Sequence, residues 1–213
     1  MNIIDLRGET DDQQTTLGQE PNLEPSSSGH GFKEYFFEIV KIIVFSLAII
    51  IPVRMFVVQP FIVEGDSMVP NFHDGEYLIV DEISYRFKTP QRGDVVIFHP
   101  PLSPNVYYIK RIIGLPAETV ELKDGKIFIY NNEFPQGQVI DESGYLTQNQ
   151  VNEESRVLLT DEQYYVVGDN RANSLDSRRI GPITTANIKG KALLRAFPFN
   201  KFTLFKTPIN ILP

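Results

Sequence analysis

The 213-residue sequence predicts a mainly β protein with one helix in front of it. An apolar stretch lies near the N-terminus, and after Pro60 the chain turns to short runs of β-branched and aromatic residues. Two of those runs flank Asp124-Gly125, and an Asp-Gly pair between alternating apolar residues is a strong hairpin signal. We therefore expect antiparallel sheets, arranged as a partly open β-barrel.

The composition restricts the classes of partner and chemistry. Hydrophobic residues make up 42% of the chain, which is enough for one cored domain and a short appended element. A formal net charge of -7 argues against nucleic acid as a partner, because phosphate binding needs a broad cationic surface. The chain has no cysteine, and its three histidines show no metal-ligand spacing. We expect neither a metal nor a cofactor.

The N-terminal part divides into a tail and an anchor. Residues 1–31 are acidic, polar and without an apolar period, so we expect a disordered acidic tail. Residues 32–58 are predicted to form a single transmembrane helix, since about 20 apolar residues cross a bilayer. The strictly uncharged run at 42–53 is shorter than that, and a buried core helix is the alternative. Lys41 and Arg54 could extend to opposite interfaces, which favours the anchor.

The third region, residues 59–213, is predicted to be the β-rich domain. Within it, residues 131–162 are polar and irregular, and we expect a surface excursion without chemistry. Seven runs are predicted to be strands: 77–83, 94–98, 106–114, 119–122, 126–130, 163–167 and 189–196.

Ser67 and Lys110 are the candidate catalytic pair. A serine hydroxyl is a weak nucleophile until a base removes its proton, and an amine does so only when neutral. In a strand, Lys110 shares a face with the apolar Tyr108 and Ile112. An ordinary lysine is neutral for only about 0.04% of the time at pH 7, and burial can lower its pKa by the roughly 3 units needed. On these residues alone, a turn serine and a half-exposed strand lysine remain the alternatives.

Four ordered motifs after the apolar segment give the pair a context. Between residues 36 and 199, the chain resembles type I signal peptidases, the membrane-anchored Ser/Lys endopeptidases that remove signal peptides from exported proteins. The motifs are PFIVEGDSMVP at 60–70, PQRGDVVIF at 90–98, YIKRIIGLP at 108–116 and GDNRANSLDSR at 168–178.

The resemblance implies a role for each site residue. Ser67 attacks the scissile carbonyl and Lys110 takes its proton. The Ser174 hydroxyl orients the lysine ammonium, and Asp176 and Arg178 form a supporting ion pair. The substrate-binding residues, which would admit small side chains at the first and third positions before the cut, are Val63, Gly65, Met68, Tyr108 and Ile109.

The resemblance also implies partners and a location. The partners are exported precursors, membrane lipids and the export machinery, and the β domain would lie on the extracytoplasmic face of the plasma membrane. A self-cleaving Ser/Lys repressor is an alternative, but this chain has an apolar segment where a DNA-binding helix-turn-helix would stand. A non-enzymatic anchored β module is a third reading, and it would lose nothing in the variant Ser67→Ala.

Overall fold

The computed structural model describes residues 31–56, 58–146, 153–207 and 212. The predicted disordered tail therefore lies outside the described residues, except for Gly31. The chain divides into two compact units, Met1–Val44 and Phe45–Pro213.

The expected N-terminal helix is present as α1, Phe32–Phe56. Its first ten residues include four charged side chains, and apolar side chains such as Phe45 are exposed. The transmembrane span expected at 32–58 is not found: over the described ranges, no helix is both long enough and apolar enough to cross a membrane.

Twelve strands, two short α-helices and two 3-10 turns follow α1 in the described ranges. The α-helices are α2, Ser84–Phe87, and α3, Ser177–Ile180, and the 3-10 turns are Thr185–Asn187 and Phe199–Lys201. The strands are β1 (Val58–Ile62), β2 (Tyr77–Asp81), β3 (Val95–Phe98), β4 (Tyr108–Gly114), β5 (Thr119–Lys123), β6 (Lys126–Tyr130), β7 (Gln138–Val139), β8 (Ser155–Leu158), β9 (Gln163–Val167), β10 (Ile183–Thr184), β11 (Ile188–Phe197) and β12 (Thr203–Leu204).

The strands form two antiparallel sheets, which confirms the mainly β class. The large sheet has the order β1-β2-β11-β3-β4-β9-β10, with β12 paired to β11. The small sheet has the order β7-β6-β5-β8. The hairpin β5–β6 turns at Asp124 and Gly125, whose φ angles are 50° and 74°. The prediction from the Asp-Gly pair is therefore confirmed, because both residue types tolerate positive φ.

Two parts of the sequence interpretation need correction. Strand β1 begins at Val58, which the prediction had placed in the anchor, and Pro60 lies within it. Proline is tolerated there because β1 is an edge strand and lacks a second neighbour. The stretch 131–162 also contains β7 and β8, which are too short for an apolar period to reveal them.

Three apolar clusters fill the two sides of the large sheet. The first joins the sheets and includes Ile113 of β4 and Ile129 of β6. The second contains Met68, the residue after Ser67, and Phe72, five positions after Ser67, and these two side chains hold the turn on the sheet. The third includes Ile112 of β4. Strand β4 therefore contributes to the packing of two of these clusters, which makes it a firm support for Lys110.

Candidate active site

Ser67 lies in a tight turn between β1 and β2. Gly65 has a φ of 81°, a left-handed conformation that favours glycine. Its N–H donates to Asp74 Oδ1 at 2.7 Å, which fixes the start of the turn. Met68 and Phe72 are almost fully buried on the other side. The turn therefore presents Ser67 to the groove described below from a packed base.

Lys110 approaches Ser67 from β4. Its Nζ lies 2.7 Å from Ser67 Oγ and donates to the Ile109 carbonyl at 2.8 Å. The lysine is only 4% exposed, and its amine lies 5.4 Å from the centre of the Tyr108 ring. The structure thus brings the two candidate residues within hydrogen-bonding distance in a place with little water.

Burial lowers the pKa of Lys110 to about 8, although the negative charges of Asp176 and Asp169 act in the opposite direction. An amine with that pKa is neutral for roughly a tenth of the time at pH 7, far more often than an ordinary lysine. The site therefore holds a usable population of free base near neutral pH.

Asp176 and Arg178 form the ion pair that the resemblance implied. Arg178 Nε and Nη2 each lie 2.8 Å from an Asp176 carboxylate oxygen. The backbone N–H of Gly168 donates to the same carboxylate at 2.9 Å. Burial raises the pKa of Asp176, but these hydrogen bonds outweigh it and hold the pKa below its ordinary value. The carboxylate therefore stays charged and ties the two ends of the 168–178 loop together.

Ser174 does not make the contact that the resemblance implied. Its Oγ is buried, and no group among the described residues meets strict hydrogen-bond geometry with it. It lies close enough to the Asp176 carboxylate to help keep the pKa of Asp176 low. The Lys110 amine is directed instead to Ser67 and to the Ile109 carbonyl. Ser174 lies against Gly168, where an added Cβ would stand 2.6 Å from the Ser174 Cβ and 2.5 Å from the Ser67 carbonyl oxygen. Gly168 thus allows the loop to lie directly against the turn of Ser67.

Two further buried ion pairs were not predicted as pairs. Arg111 donates to both carboxylate oxygens of Asp169, at 2.8 and 2.6 Å. Arg171 does the same for Glu142, with one bond of 2.8 Å and one very short. An arginine is always charged and readily binds a carboxylate, but its charge does not identify which one. Asp169 is 58 positions away, and only the tertiary fold brings the two together.

A groove of about 560 Å³ runs past Ser67 and Lys110. Val63, Tyr108 and Ile109 line it, as expected for substrate-binding residues. Gly65 and Met68 are not among the described residues that line it. Met68 is buried in the second cluster, and Gly65 lies at the start of the turn. The groove has seven further apolar or aromatic lining residues that the sequence did not predict. They are Phe61, Ile62, Leu78, Ile97, Val106, Tyr107 and Leu175.

A serine hydroxyl beside a lysine of lowered pKa, at the wall of an apolar groove, is the arrangement of a serine hydrolase with an amine base. Comparisons with known proteins define the class further. Residues 36–197 match the family described as signal peptidase, peptidase S26. The chain therefore belongs to the signal peptidase family, and it is a serine endopeptidase that removes signal peptides from exported precursor proteins.

Individual relatives cover most of the chain. The chain is 36% identical over 180 residues to signal peptidase I of Bacillus licheniformis, covering 79% of this chain and 92% of the relative. It is 33% identical over 190 residues to signal peptidase I of Leptolyngbya laminosa, covering 86% and 90%. A crystal structure of a signal peptidase I from Enterococcus faecalis V583 is 29% identical, with a TM-score of 0.40, and covers 49% of this chain and 97% of that one.

Proposed function

We propose that Ser67 is the nucleophile and Lys110 the general base of signal-peptide cleavage. The observation that carries the proposal is the distance of 2.7 Å between Lys110 Nζ and Ser67 Oγ in a buried position. The low pKa of Lys110 supports it, since a base must be neutral to accept the serine proton.

The reaction follows from that geometry. Ser67 Oγ attacks the scissile carbonyl carbon while its proton moves to Lys110 Nζ. The tetrahedral intermediate then collapses, the C–N bond breaks, and the lysine ammonium returns the proton to the leaving amine. A water molecule, deprotonated by the same amine, hydrolyses the acyl-enzyme. Backbone N–H groups around Ser67 stabilise the oxyanion.

Ser174, Asp176 and Arg178 support the pair without touching the reacting atoms. The Asp176–Arg178 pair fixes the 168–178 loop, and that loop contacts the turn of Ser67 through Gly168. Ser174 Oγ lies in the same contact, and its proposed part is to orient the lysine ammonium by accepting a hydrogen bond from it. The 168–178 loop therefore supports the turn of Ser67 from the side of Gly168.

The groove selects an extended segment with small side chains before the cut. Its wall residues Val63, Tyr108 and Ile109 are apolar or aromatic, so they suit the apolar end of a signal peptide. An extended segment can add its backbone to neighbouring strands, as in other β-strand recognition. Gly65 and Met68 are not part of this proposal, because they do not face the groove.

The protein acts at the plasma membrane, with α1 as its anchor and the β domain on the extracytoplasmic face, where the export machinery delivers precursors. Apolar side chains are exposed along α1, with Phe45 71% exposed. The β domain also exposes Phe197, Phe199 and Leu204, which suit contact with lipid. Alkaline carbonate extraction of membranes should leave the full chain in the pellet. Its release into the supernatant would contradict the anchor.

The variant Ser67→Ala tests the catalytic proposal. Purified full-length protein is incubated with a precursor, and the new N-terminus of the product is determined by mass spectrometry. Ser67→Ala should abolish cleavage, because Ala has no hydroxyl to form the acyl-enzyme. Ser103→Ala is the matched control, since Ser103 is an exposed loop residue. Continued cleavage by Ser67→Ala would reject the assignment.

A further inference from the structure

We propose that Asn71 is a positioning residue that, together with residues 142–146, holds the turn of Ser67 against the strand of Lys110. The proposal rests on the proposed roles of Ser67 and Lys110. Asn71 lies four positions after Ser67, at the end of the same turn, and it lies outside the set of described residues that line the substrate groove.

The side-chain amide of Asn71 joins three distant segments. Its Nδ2 donates to Asp169 Oδ2 at 2.9 Å and to the Tyr145 carbonyl at 2.8 Å. These two bonds use both hydrogens of the amide. The backbone carbonyl of Asn71 in turn accepts a short hydrogen bond from Arg195. The end of the Ser67 turn is thus fixed from two sides.

Asp169 extends the connection to the base. The carboxylate oxygen that accepts from Asn71 also accepts from Arg111 Nη2 at 2.6 Å. Arg111 is the residue after Lys110 on β4, and its other amine donates to the Gly93 carbonyl at 2.9 Å. The neighbouring Asn170 N–H donates to the Ser67 carbonyl at 3.0 Å. One buried carboxylate therefore sets the position of both the nucleophile's turn and the base's strand.

Residues 142–146, inside the stretch expected to be a surface excursion, close this arrangement. The Tyr145 ring lies 4.1 Å from the Arg111 guanidinium carbon. The Tyr145 hydroxyl donates to Glu142 at 2.6 Å, and Glu142 is buried against Arg171. Arg171 Nε donates to the Gly168 carbonyl at 3.0 Å. The segment thus reaches the site through two buried cations, Arg111 and Arg171.

If Asn71 positions the turn of Ser67, its loss should lower kcat and leave KM unchanged. Removing the amide of Asn71 leaves the groove walls in place, so substrate binding should be retained. The turn of Ser67 would gain freedom relative to Lys110, and a displacement of about 1 Å in a reacting group can lower a rate by 10²-fold. A role in folding alone would instead lower the melting temperature and the fraction of active molecules without changing the turnover of each active molecule.

The experiment compares Asn71→Ala with Asn131→Ala in the full-length protein. Asn131 is the matched control, because its Nδ2 also donates at 2.9 Å to a carboxylate paired with arginine, Glu118, but on the small sheet. Active molecules are counted from the burst of product released by an activated ester. We expect Asn71→Ala to lower kcat per active site about tenfold or more at an unchanged KM. Asn131→Ala should keep the kcat of the wild type.

Tyr145→Leu tests the second half of the proposal. It removes the ring from Arg111, and it should lower kcat in the same way. The double variant with Asn71→Ala should lose less than the product of the two single losses, because both act on one contact. Independent, multiplicative losses would overturn the role of residues 142–146.

Several results would reject the role of Asn71. An unchanged kcat per active site in Asn71→Ala, or an equal loss in Asn131→Ala, contradicts it. If Asn71→Ala does not fold, Asn71→Thr keeps one donor and should show an intermediate kcat; failure of both to fold makes the residue purely structural. Cleavage that persists in Ser67→Ala would reject the catalytic proposal itself. If Ser67→Ala loses cleavage while Asn71→Ala keeps a normal kcat, only the positioning role of Asn71 is rejected.

Discussion

The small sheet and the large sheet are both antiparallel, yet they bury different kinds of side chain. In β5 and β6, buried Val120, Leu122, Ile127 and Ile129 alternate with more exposed positions. In β4 of the large sheet and in the adjoining 168–178 loop, by contrast, charged groups are buried. They are Lys110, Arg111, Asp169, Arg171 and Asp176.

This difference assigns different tasks to the two sheets. Burial of an aliphatic side chain stabilises a fold by about 1.5–3 kcal/mol. A buried ion pair contributes little net stability, but removing one partner is strongly unfavourable. We infer that the small sheet mainly stabilises the fold. The charged region of the large sheet mainly holds Ser67 and Lys110 in position and keeps Lys110 partly neutral.

Lys110→Met should show the largest effect on turnover and should stabilise the fold. Loss of the base should lower kcat/KM by about 10³-fold or more. Folding lowers the lysine pKa from 10.5 to about 8, so the unfolded chain holds the proton more tightly. At pH 7 this opposes folding by about 3 kcal/mol, and the opposition fades as the pH rises from 8 to 10.5. Urea unfolding at pH 7 and precursor cleavage measure the two effects.

The control for this prediction is Lys126→Met on β6, where the lysine is exposed. It should change neither quantity appreciably. Two results for Lys110→Met would contradict the different roles inferred for the two sheets. One is precursor cleavage at the wild-type rate, and the other is a much lower stability than that of the wild type.

Gly168→Ala should show the next largest effect. The new Cβ would stand 2.5 Å from the Ser67 carbonyl oxygen, so the turn or the loop must move. A shift of this kind should lower kcat by about 10²-fold. Gly31→Ala is the control, because nothing lies within 4 Å of an added Cβ there. Equal rates for the two variants in a cleavage assay would argue against close positioning by the 168–178 loop.

Ile129→Ala should have the smallest effect on turnover. Ile129 is fully buried in the first cluster, on β6 of the small sheet, whereas Met68 beside Ser67 is buried in the second cluster. Its truncation should lower the free energy of unfolding by about 2–5 kcal/mol. The kcat of the molecules that remain folded should match the wild type. A loss of kcat at a temperature well below the unfolding midpoint would show that the two sheets are not separable in function.

The parts of the fold that depend on local residues could be predicted. Strand β6 and the turn at Asp124-Gly125 follow from alternation and turn chemistry, and both are as expected. Strand β8 could not be recognised, because it is short and its Arg156 and Ser155 are exposed. Strand β1 was obscured by Pro60, which is unfavourable in a central strand but acceptable at an edge.

In the site, too, only the features that depend on neighbouring residues in the sequence could be predicted. Alternation along β4 correctly separates Lys110 from Arg111, whose side chains take part in different contacts. The partners of Arg111 and Arg171 lie 58 and 29 positions away, and no local pattern identifies them. Met68 does not line the groove as the resemblance implied, because its neighbour Ser67 lies on the groove side of the turn and Met68 is buried in the second cluster.

The pH dependence of kcat/KM for the wild-type protein tests the central claim most directly, since it reports the base in the free enzyme. The account predicts a rate that rises with pH through a single limb with a midpoint near 8 and then stays level. A midpoint above about 10 would mean an ordinary solvated lysine, and a limb that disappears in His73→Ala would assign the base to histidine. Either result would contradict a buried, neutral Lys110 as the base.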